Sequence, residues 1–466
     1  MKILRRFLWT ILVSNLFVGF LGVLAESSSS SGAATVASGK ESSALMTRIS
    51  YKDLFELFGS VDIVDGDESD LVEILQKNHD KIVPLLRKIQ KAFGTANNNG
   101  ATPLGFLEVT GLPPTIVALR QKLLPRASEL ANLPSSELEA LEQPEMGYSI
   151  GWSHGKESFR VKDGNESDGT GEVQRRYDTA KGSFYMNPYA DASIENVYPP
   201  SLQPFLEADL LEMTQFMTKV GLWIAVLCDL YLNAGTNRDS CSLKQECSSQ
   251  DTAGQESSDS DLDLEGSISS NHWMVYNSLK SGKPMAKARL LYYFPQKKDN
   301  KASINQSNRL VLDDWCGWHT DHGSLTALLP GMLTGEQDLP QDTQTSKMAQ
   351  KPGLYIQTKM GENNADLSND IRYVHVALAP DSLGFQLGET LEIMSRGKFL
   401  ATPHAVKAPP SFSMGRASLA LFLQPLANQM LSPLEGKSDS EDIFSLKSRW
   451  RSTFGEFQRV TIESFS

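Results

Sequence analysis

The residues with the clearest chemical potential lie in the segment WCGWHTDHGSLT, Trp315 to Thr326. It places His319, Asp321 and His322 within four residues, close to Cys316. On a strand, residues i and i+2 point to the same face, so His319 and Asp321 would be able to reach one metal ion. His322 would point to the opposite face. A His-x-Asp triplet is weak evidence by itself, and a polar surface loop is the alternative interpretation.

A metal ion with open coordination positions needs a third protein ligand, and two histidines with one carboxylate are typical of non-heme Fe(II) sites. The chain has seven histidines. His79 and His154 lie in the N-terminal half, and His272 borders an acidic stretch. His375, within YVHVALA, fits an ordinary half-buried position on a strand. Elimination therefore favours His404, in GKFLATPHAVKAPP, as the third ligand.

A second motif could bind an anion. Arg416 and Ser418 open the run RASLALFLQ, and at i and i+2 of a strand they would share one face while the leucines share the other. An arginine inside a β core needs an anionic partner, and its planar guanidinium suits a carboxylate. Ser418 would add a hydroxyl hydrogen bond. A salt bridge to a nearby Asp or Glu is the alternative.

The helices and strands that must position these residues are distributed unevenly, with helices predicted mainly in the first half of the chain. Apolar spacing predicts one amphipathic helix over Asp67–Phe93, a helix over Thr115–Leu124 and a buried helix over Leu206–Leu232. LGFLEVTGLP, Leu104 to Pro113, predicts a short strand closed by a Gly/Pro turn.

The second half of the chain is rich in short β-type runs, separated by turn residues. They are ARLLYYF, SLTALL, GLYIQT, YVHVALA, LEIM and RASLALFLQ, all between Ala288 and Gln424. Many short strands with such turns indicate a sandwich or a barrel. A closing helix is expected after Ser440.

Composition limits the class of protein. The chain has 466 residues, 40% hydrophobic and 21% charged, which is enough to bury a large core. Its net charge of −12 and the lack of a basic stripe argue against nucleic-acid binding. Cys228, Cys241, Cys247 and Cys316 are predicted to be mostly free thiols, with a Cys241–Cys247 disulfide as the lesser alternative.

Taken together, HTDHGSLTALL, GLYIQ, QLGETLEIMSRGKFLATPHAV and RASLALF resemble the core of the 2-oxoglutarate- and Fe(II)-dependent dioxygenases. The isopenicillin N synthase-like group of plants is the most similar branch. GFLEVTGLP, GYSIGWSHGKESF and NPYADASIENVYPP extend the resemblance upstream, so that it covers roughly residues 48–425. It implies an α+β fold, a distorted double-stranded β-helix (jelly roll) flanked by N-terminal helices.

The resemblance also implies roles for individual residues. The implied iron ligands are His319, Asp321 and His404. Arg416 and Ser418 would bind the far carboxylate of 2-oxoglutarate, and Tyr293, in ARLLYYFP, would help to hold it. The implied cofactors are Fe(II), 2-oxoglutarate as cosubstrate and O₂, with ascorbate as a further candidate. The implied reaction hydroxylates or desaturates a small organic substrate and releases succinate and CO₂.

Three departures from the family pattern affect the choice of substrate. Leu291 stands where many relatives have Asn, Thr110-Gly111-Leu112 replaces Asn-His-Gly, and Ala405 follows the distal histidine where Arg is common. None removes a metal or cosubstrate group, but each argues against a plant-hormone or flavonoid substrate. For Cys316, Trp318, Met394 and Phe399, simple packing is favoured over lining a pocket.

Two other functions remain compatible with these residues. One is a catalytically inactive jelly-roll protein that binds or senses a ligand. The other is a cupin-like Zn or Mn enzyme without a keto acid, in which Arg416 and Ser418 would have no evident purpose.

The resemblance and the composition together predict five segments. They are a signal- or anchor-like segment with a Ser/Ala-rich linker (1–45), a helical N-terminal region (46–239), a disordered acidic insertion (240–270), the Fe(II)/2-oxoglutarate domain (271–425) and a helical extension (426–466). The basic start MKILRR and the apolar run Phe7–Ala25 fit a secretory signal or a membrane anchor. If Met46 is the functional start, the chain would be cytoplasmic, and membrane contact is expected only when the apolar run is retained.

Overall fold

The structure is a computed structural model. It describes residues 35–36, 45–95, 103–156, 158–160, 175–190, 195–241, 268, 273–295, 314–335, 351–359, 371–409, 414–431, 450 and 452–465. The predictions for the N-terminal apolar run, for the acidic stretch and for Cys247 lie outside these residues. Cys228 and Cys316 are free thiols, as predicted.

Helices occupy much of the first half of the described chain. They are α1 (Tyr51–Phe58), α2 (Glu68–Lys77), α3 (His79–Phe93), α4 (Pro114–Ala131), α5 (Ser135–Ala140) and α6 (Phe205–Cys241), followed later by α7 (Met274–Ser281), α8 (Glu389–Met394) and α9 (Phe454–Phe465). The predicted closing helix is therefore confirmed as α9.

The strands are short, as the sequence predicts. They are β1 (Thr35–Val36), β2 (Thr47–Ser50), β3 (Phe106–Thr110), β4 (Gly151–His154), β5 (Ser158–Arg160), β6 (Arg175–Tyr177), β7 (Lys181–Met186), β8 (Lys287–Tyr293), β9 (Asp314–His319), β10 (Leu325–Leu328), β11 (Met332–Thr334), β12 (Gly353–Lys359), β13 (Ile371–Val376), β14 (Ser382–Leu387), β15 (His404–Lys407) and β16 (Gly415–Leu423).

Two main sheets carry the fold. The larger has the order β2-β3-β14-β10-β16-β8-β7-β4, with β11 also paired to β16, and the smaller has the order β1-β13-β12-β15-β9. Most pairs are antiparallel, whereas β2 with β3 and β1 with β13 are parallel. The α+β class is thus confirmed. The larger sheet takes strands from both sides of residue 240, so the helical first half also contributes to it.

One wide cavity lies between the sheets. Its lining comes from β8, β10 and β16 of the larger sheet and from β12, β13 and β15 of the smaller one. The opposite face of the larger sheet packs against helices, because the alternate residues Ala288, Leu290 and Tyr292 of β8 belong to the main hydrophobic core. The alternation of strand side chains therefore separates a helix-packed face from a cavity face.

Helix α6 supports the larger sheet from behind. At Gly221 a Cβ atom would lie 2.5 Å from Leu423 Cδ1, so glycine allows this close approach to β16. Among the described residues, Phe205–Ala234 is the one helix long and apolar enough to cross a membrane, and 72% of its most apolar window is buried inside the protein. Such burial is typical of a core helix, and the buried helix predicted over Leu206–Leu232 is confirmed.

The single helix predicted over Asp67–Phe93 is wrong, because two helices, α2 and α3, meet at Asn78. The backbone of Asn78 leaves the helical region (φ −127°, ψ 34°), and its side-chain Nδ2 donates to the carbonyl of Ile74 at 2.8 Å. Leu71, Leu75 and Ile82 are fully buried on both sides of the break, so the apolar spacing predicts the buried face correctly. A local side-chain hydrogen bond interrupts the helix without changing that face.

The strand predicted at LEIM is also wrong, because these residues belong to helix α8. The backbone N–H of Glu389 donates to the carbonyl of Asp321 at 2.7 Å, and that of Thr390 donates to the carbonyls of His322 and Gly323. A four-residue run with three apolar residues fits either a strand or a helix. The contact with the loop after β9 selects the helix.

Candidate metal and cosubstrate site

Two of the predicted ligands meet through strand pairing. His319 is the last residue of β9 and His404 is the first residue of β15, and the two are direct partners in the antiparallel register. Residues directly opposite in such a pair have Cβ atoms about 4.5 to 5.5 Å apart. The two imidazole rings are accordingly 4.2 Å apart between centroids.

Asp321 completes the group from a different element than predicted. Strand β9 ends at His319, so Asp321 lies in the following loop and not on the same strand face. Its Oδ1 atom is nevertheless 3.9 Å from His319 Nε2 and 3.8 Å from His404 Nε2. The loop, and not strand alternation, therefore brings the carboxylate between the two rings.

Hydrogen bonds orient both histidines. Nδ1 of His319 lies 2.8 Å from the carbonyl of Gly317, and Nδ1 of His404 lies 3.3 Å from that of Thr402. Because a carbonyl only accepts, each Nδ1 must be the protonated nitrogen, and each Nε2 then carries a lone pair. Such outer hydrogen bonds commonly fix the tautomer of metal-binding histidines.

The carboxylate is oriented in the same way. Thr326 donates from Oγ1 to Asp321 Oδ2 at 2.6 Å, so that Oδ1 is the oxygen turned toward the two imidazoles. Thr326 is almost fully buried, on β10 of the larger sheet. This hydrogen bond thus joins the loop that carries Asp321 to the larger sheet.

The three side chains suit a first-row metal ion. His319, Asp321 and His404 are buried, and their potential ligand atoms all lie within 4.8 Å of one another. Neighbouring ligands at bonds of about 2.1 Å are separated by roughly 3 Å, so small side-chain movements would close the shell. Two imidazoles and one carboxylate, on one side of an ion, are the set typical of Fe(II) oxygenases.

Burial keeps both histidines in the form that binds metal. Desolvation lowers the pKa of His319, and it lowers that of His404 to about 4, with the neighbouring His319 as the next cause. Since a metal ligand must be the neutral imidazole, both side chains are ready for a cation at neutral pH.

This lowered pKa predicts an acid-sensitive fold for the metal-free protein. The pKa of His404 is 6.5 when the side chain is exposed and about 4 in the folded chain, so the unfolded state binds more protons between these values. The contribution of His404 to the free energy of unfolding is therefore fully present above pH 6.5. It falls by roughly 3 kcal/mol as the pH is lowered toward 4. Urea unfolding between pH 4 and 7.5 measures it. The same pH slope in wild type and His404→Ala would contradict the assignment.

His322 points away from the other two histidines, as predicted. Its Nδ1 lies 3.1 Å from Glu389 Oε2, and Thr320 donates to Glu389 Oε1 at 2.8 Å. The carboxylate of Glu389 therefore holds the residues on both sides of Asp321, while its own backbone N–H holds the Asp321 carbonyl at 2.7 Å. Glu389, at the start of α8, is not predicted from the sequence, because nothing in its local sequence indicates a contact 67 residues away.

Replacing Glu389 by alanine is expected to weaken metal binding by about 10- to 100-fold, the usual loss when an outer support of a metal ligand is removed. Glu389→Gln keeps an acceptor for Thr320 and should lose less. Co(II) titration, followed by its visible absorption, measures the affinity. Glu392→Gln, whose carboxylate accepts from the backbone N–H of Ala401, is the matched control on the same helix. An unchanged affinity in Glu389→Ala would exclude this supporting role.

The cavity beside the three residues has a volume of about 250 Å³. The predicted cosubstrate residues all line it: Tyr293, Arg416 and Ser418. Arg416 pairs with Tyr293 and Ser418 pairs with Leu291 in the register of β16 and β8, so the three lie together on the larger sheet. The guanidinium carbon of Arg416 is 5.4 Å from the ring centroid of Tyr293.

Arg416 is packed closely where it meets the loop after β10. A Cβ atom added at Gly331 would clash with its guanidinium nitrogens Nε and Nη2, so glycine at this position leaves room for the Arg416 side chain. Arg120 of helix α4 donates from Nε and Nη2 to the carbonyl of Pro330, at 2.9 and 2.6 Å. A helix from the first half of the chain thus holds the loop that shapes the Arg416 site.

Of the four residues expected to pack rather than line the pocket, one lines it and three do not. Cys316 lines the cavity, with its Sγ 3.8 Å from His319 Nδ1. Trp318 stacks on Tyr373 at 4.9 Å instead. Met394 and Phe399 lie in the main hydrophobic core. The packing interpretation is therefore confirmed for three of the four. His375, for which the sequence predicts an ordinary strand position, also lines the cavity.

Solved structures with this fold include oxygenases and a keto-acid complex. A putative 2OG-Fe(II) oxygenase family protein from Caulobacter crescentus matches with a TM-score of 0.51 and 14% identity, over 90% of this chain and 99% of that one. A full-length Neurospora crassa protein, solved in complex with alpha-KG, matches with a TM-score of 0.50 and 15% identity over 90% and 96%. This chain has the fold of the 2-oxoglutarate and Fe(II) oxygenases.

The oxygenase fold is confirmed by structural likeness alone. No protein-family model matches the chain, and no curated protein matches it either. The isopenicillin N synthase-like branch therefore stays a prediction, as do the individual roles of the site residues.

Proposed function

We propose that the chain is an Fe(II)- and 2-oxoglutarate-dependent dioxygenase, with its two sheets forming a distorted double-stranded β-helix. One observation carries the proposal. The buried His319, Asp321 and His404 converge on a cavity whose larger-sheet wall also presents Arg416 and Ser418. The groups proposed to bind the metal and the keto acid thus line one cavity.

The reaction is proposed to consume one substrate R–H, one O₂ and one 2-oxoglutarate, and to release R–OH, succinate and CO₂. One oxygen atom enters the substrate and the other enters succinate. In a desaturation, two hydrogens leave the substrate and one water forms. Bound iron would supply the oxidising step, since none of the protein side chains can oxidise an unactivated C–H bond.

The chain's own groups would prepare that step. His319, Asp321 and His404 would hold the iron ion through two imidazole nitrogens and one carboxylate oxygen. Arg416 would bind the distant carboxylate of 2-oxoglutarate through its planar guanidinium, with hydroxyl contacts from Ser418 and Tyr293. The apolar lining between them, including Leu291 and Phe422, would exclude water.

We assign this chemistry to residues 271–425, whose larger sheet is completed by strands β2, β3, β4 and β7 from the preceding region. The Neurospora crassa structure with alpha-KG supports a keto acid. Another complex of the same fungal protein contains 5-formyluracil, a small molecule, besides alpha-KG. A small organic substrate is proposed here as well.

Untargeted metabolite screening with the iron-loaded protein tests the function. We expect 2-oxoglutarate consumption and equimolar succinate with at least one metabolite fraction, and neither with His404→Ala. A protein that binds neither iron nor 2-oxoglutarate would favour the inactive binding protein. Activity retained in Arg416→Ala would favour a metalloenzyme without a keto acid.

A further inference from the structure

A second arginine, Arg289, lines the same cavity at a different position along the strands. Arg289 is on β8, where it pairs with Ala420 of β16, whereas Arg416 pairs with Tyr293. Arg289 and Tyr293 are four positions apart, which corresponds to about 13 Å along the strand. The two arginines therefore extend from well separated positions along the larger sheet.

Along the strands of the larger sheet, Arg289 lies closer than Arg416 to the proposed metal ligands. Phe422, two residues beyond Ala420 on β16, pairs with Thr326, and Thr326 donates to Asp321. Two residues correspond to about 7 Å along a strand, and β8 is the neighbour of β16 on the side away from β10. This arginine thus flanks the space in front of the metal ligands.

The guanidinium of Arg289 is held in one orientation. Its Nε and Nη2 donate to Ser183 Oγ at 3.0 and 2.8 Å, and its carbon lies 5.1 Å from the ring centroid of Tyr185. Both partners are on the adjacent strand β7, and the arginine is only 4% exposed. A cation fixed in this way needs little reorganisation to bind an anion.

Two more basic side chains lie near Arg289 on the same two strands. Lys181, paired with Asp178, and Lys287, stacked over Tyr185, are also buried on β7 and β8. A low-dielectric cavity strengthens the attraction of such charges for an anion.

We propose that Arg289 binds a carboxylate of the primary substrate, and that this substrate is a small monocarboxylic acid with an apolar body. The inference rests on the proposed function, since it assumes that Arg416 takes the keto acid. Leu328, Leu354 and Val376 of the lining would contact the apolar body. The volume of about 250 Å³, shared with the keto acid, restricts that body to a few carbon atoms or one ring.

Calorimetry under anaerobic conditions tests the proposal without turnover. Protein loaded with Co(II) and saturated with 2-oxoglutarate is titrated with hexanoate and 3-phenylpropanoate, and with the primary amide of each. We expect each carboxylate to bind at least about tenfold more tightly than its amide, and Arg289→Gln to remove that preference. Arg289→Lys should restore part of it. Arg126→Gln, on the surface of α4, is the control that keeps the preference.

Several results would overturn the inference. They are equal binding of acid and amide, an unchanged preference in Arg289→Gln, displacement of 2-oxoglutarate by the acids, and no binding of any probe at millimolar concentration. Co(II) and 2-oxoglutarate binding, measured first on every variant, reports that the variant is folded. A wild-type protein that fails that first step contradicts the proposed function instead.

Discussion

Replacement of His404 by alanine is expected to reduce metal affinity by more than about 100-fold, beyond the loss seen when an outer support is removed. His404 Nε2, the proposed ligand atom, lies 3.8 Å from Asp321 Oδ1, and its ring is 4.2 Å from that of His319. Without it, two donors remain, and the ion loses one face of its shell. Isothermal titration with Mn(II) or Co(II) measures the change, and turnover of 2-oxoglutarate should fall to background.

The matched control is His375→Ala. His375 lines the same cavity from β13 but stands outside the three-residue group, and its Nε2 lies 3.2 Å from the carbonyl of Pro352. We expect this variant to keep its metal affinity. If His375→Ala loses the metal and His404→Ala retains it, the proposed ligand set is wrong.

Replacement of Arg416 by leucine is expected to weaken 2-oxoglutarate binding by roughly 30- to 1,000-fold while metal binding persists. Truncating one partner of a buried, hydrogen-bonded charge pair costs about 2 to 5 kcal/mol, and most of that loss would appear in the keto-acid dissociation constant. Titration of 2-oxoglutarate into Co(II)-loaded protein, followed by absorption, separates the two effects. Loss of both ligands together would indicate a misfolded variant.

Gly331→Ala offers a milder version of the same test. The new Cβ would clash with the Arg416 guanidinium and push it aside without removing it. We expect weaker 2-oxoglutarate binding than in the wild type but stronger binding than in Arg416→Leu. Equal affinity in all three proteins would contradict a cosubstrate role for Arg416.

The contrast between the arginines shows what residue spacing can and cannot predict. The sequence places Arg416 and Ser418 correctly on one cavity face, because i and i+2 alternation is a property of any strand. Arg289 obeys the same alternation with Leu291 and Tyr293. Its position in the cavity is not predicted, because a single arginine in ARLLYYF carries no signal of what lies across the sheet.

The metal site shows the same division. Elimination among seven histidines selects His404, and the family resemblance selects the same residue. Asp321, however, reaches the site from a loop and not from a strand. That loop is held by Thr326 and by Glu389, whose partners are distant in the chain or on another element. Local spacing could not reveal these contacts.

By itself, the sequence determined the α+β class, several of the strands and helices, and a short set of chemically suitable residues. These depend on local periodicity and residue type, which the chain carries in every short window. The tertiary structure alone decided that LEIM is a helix and how His319 and His404 meet across two strands. It also decided that Arg289 shares the cavity with Arg416. Such features arise from contacts between segments far apart in the chain, and the two sheets must pack before those contacts exist.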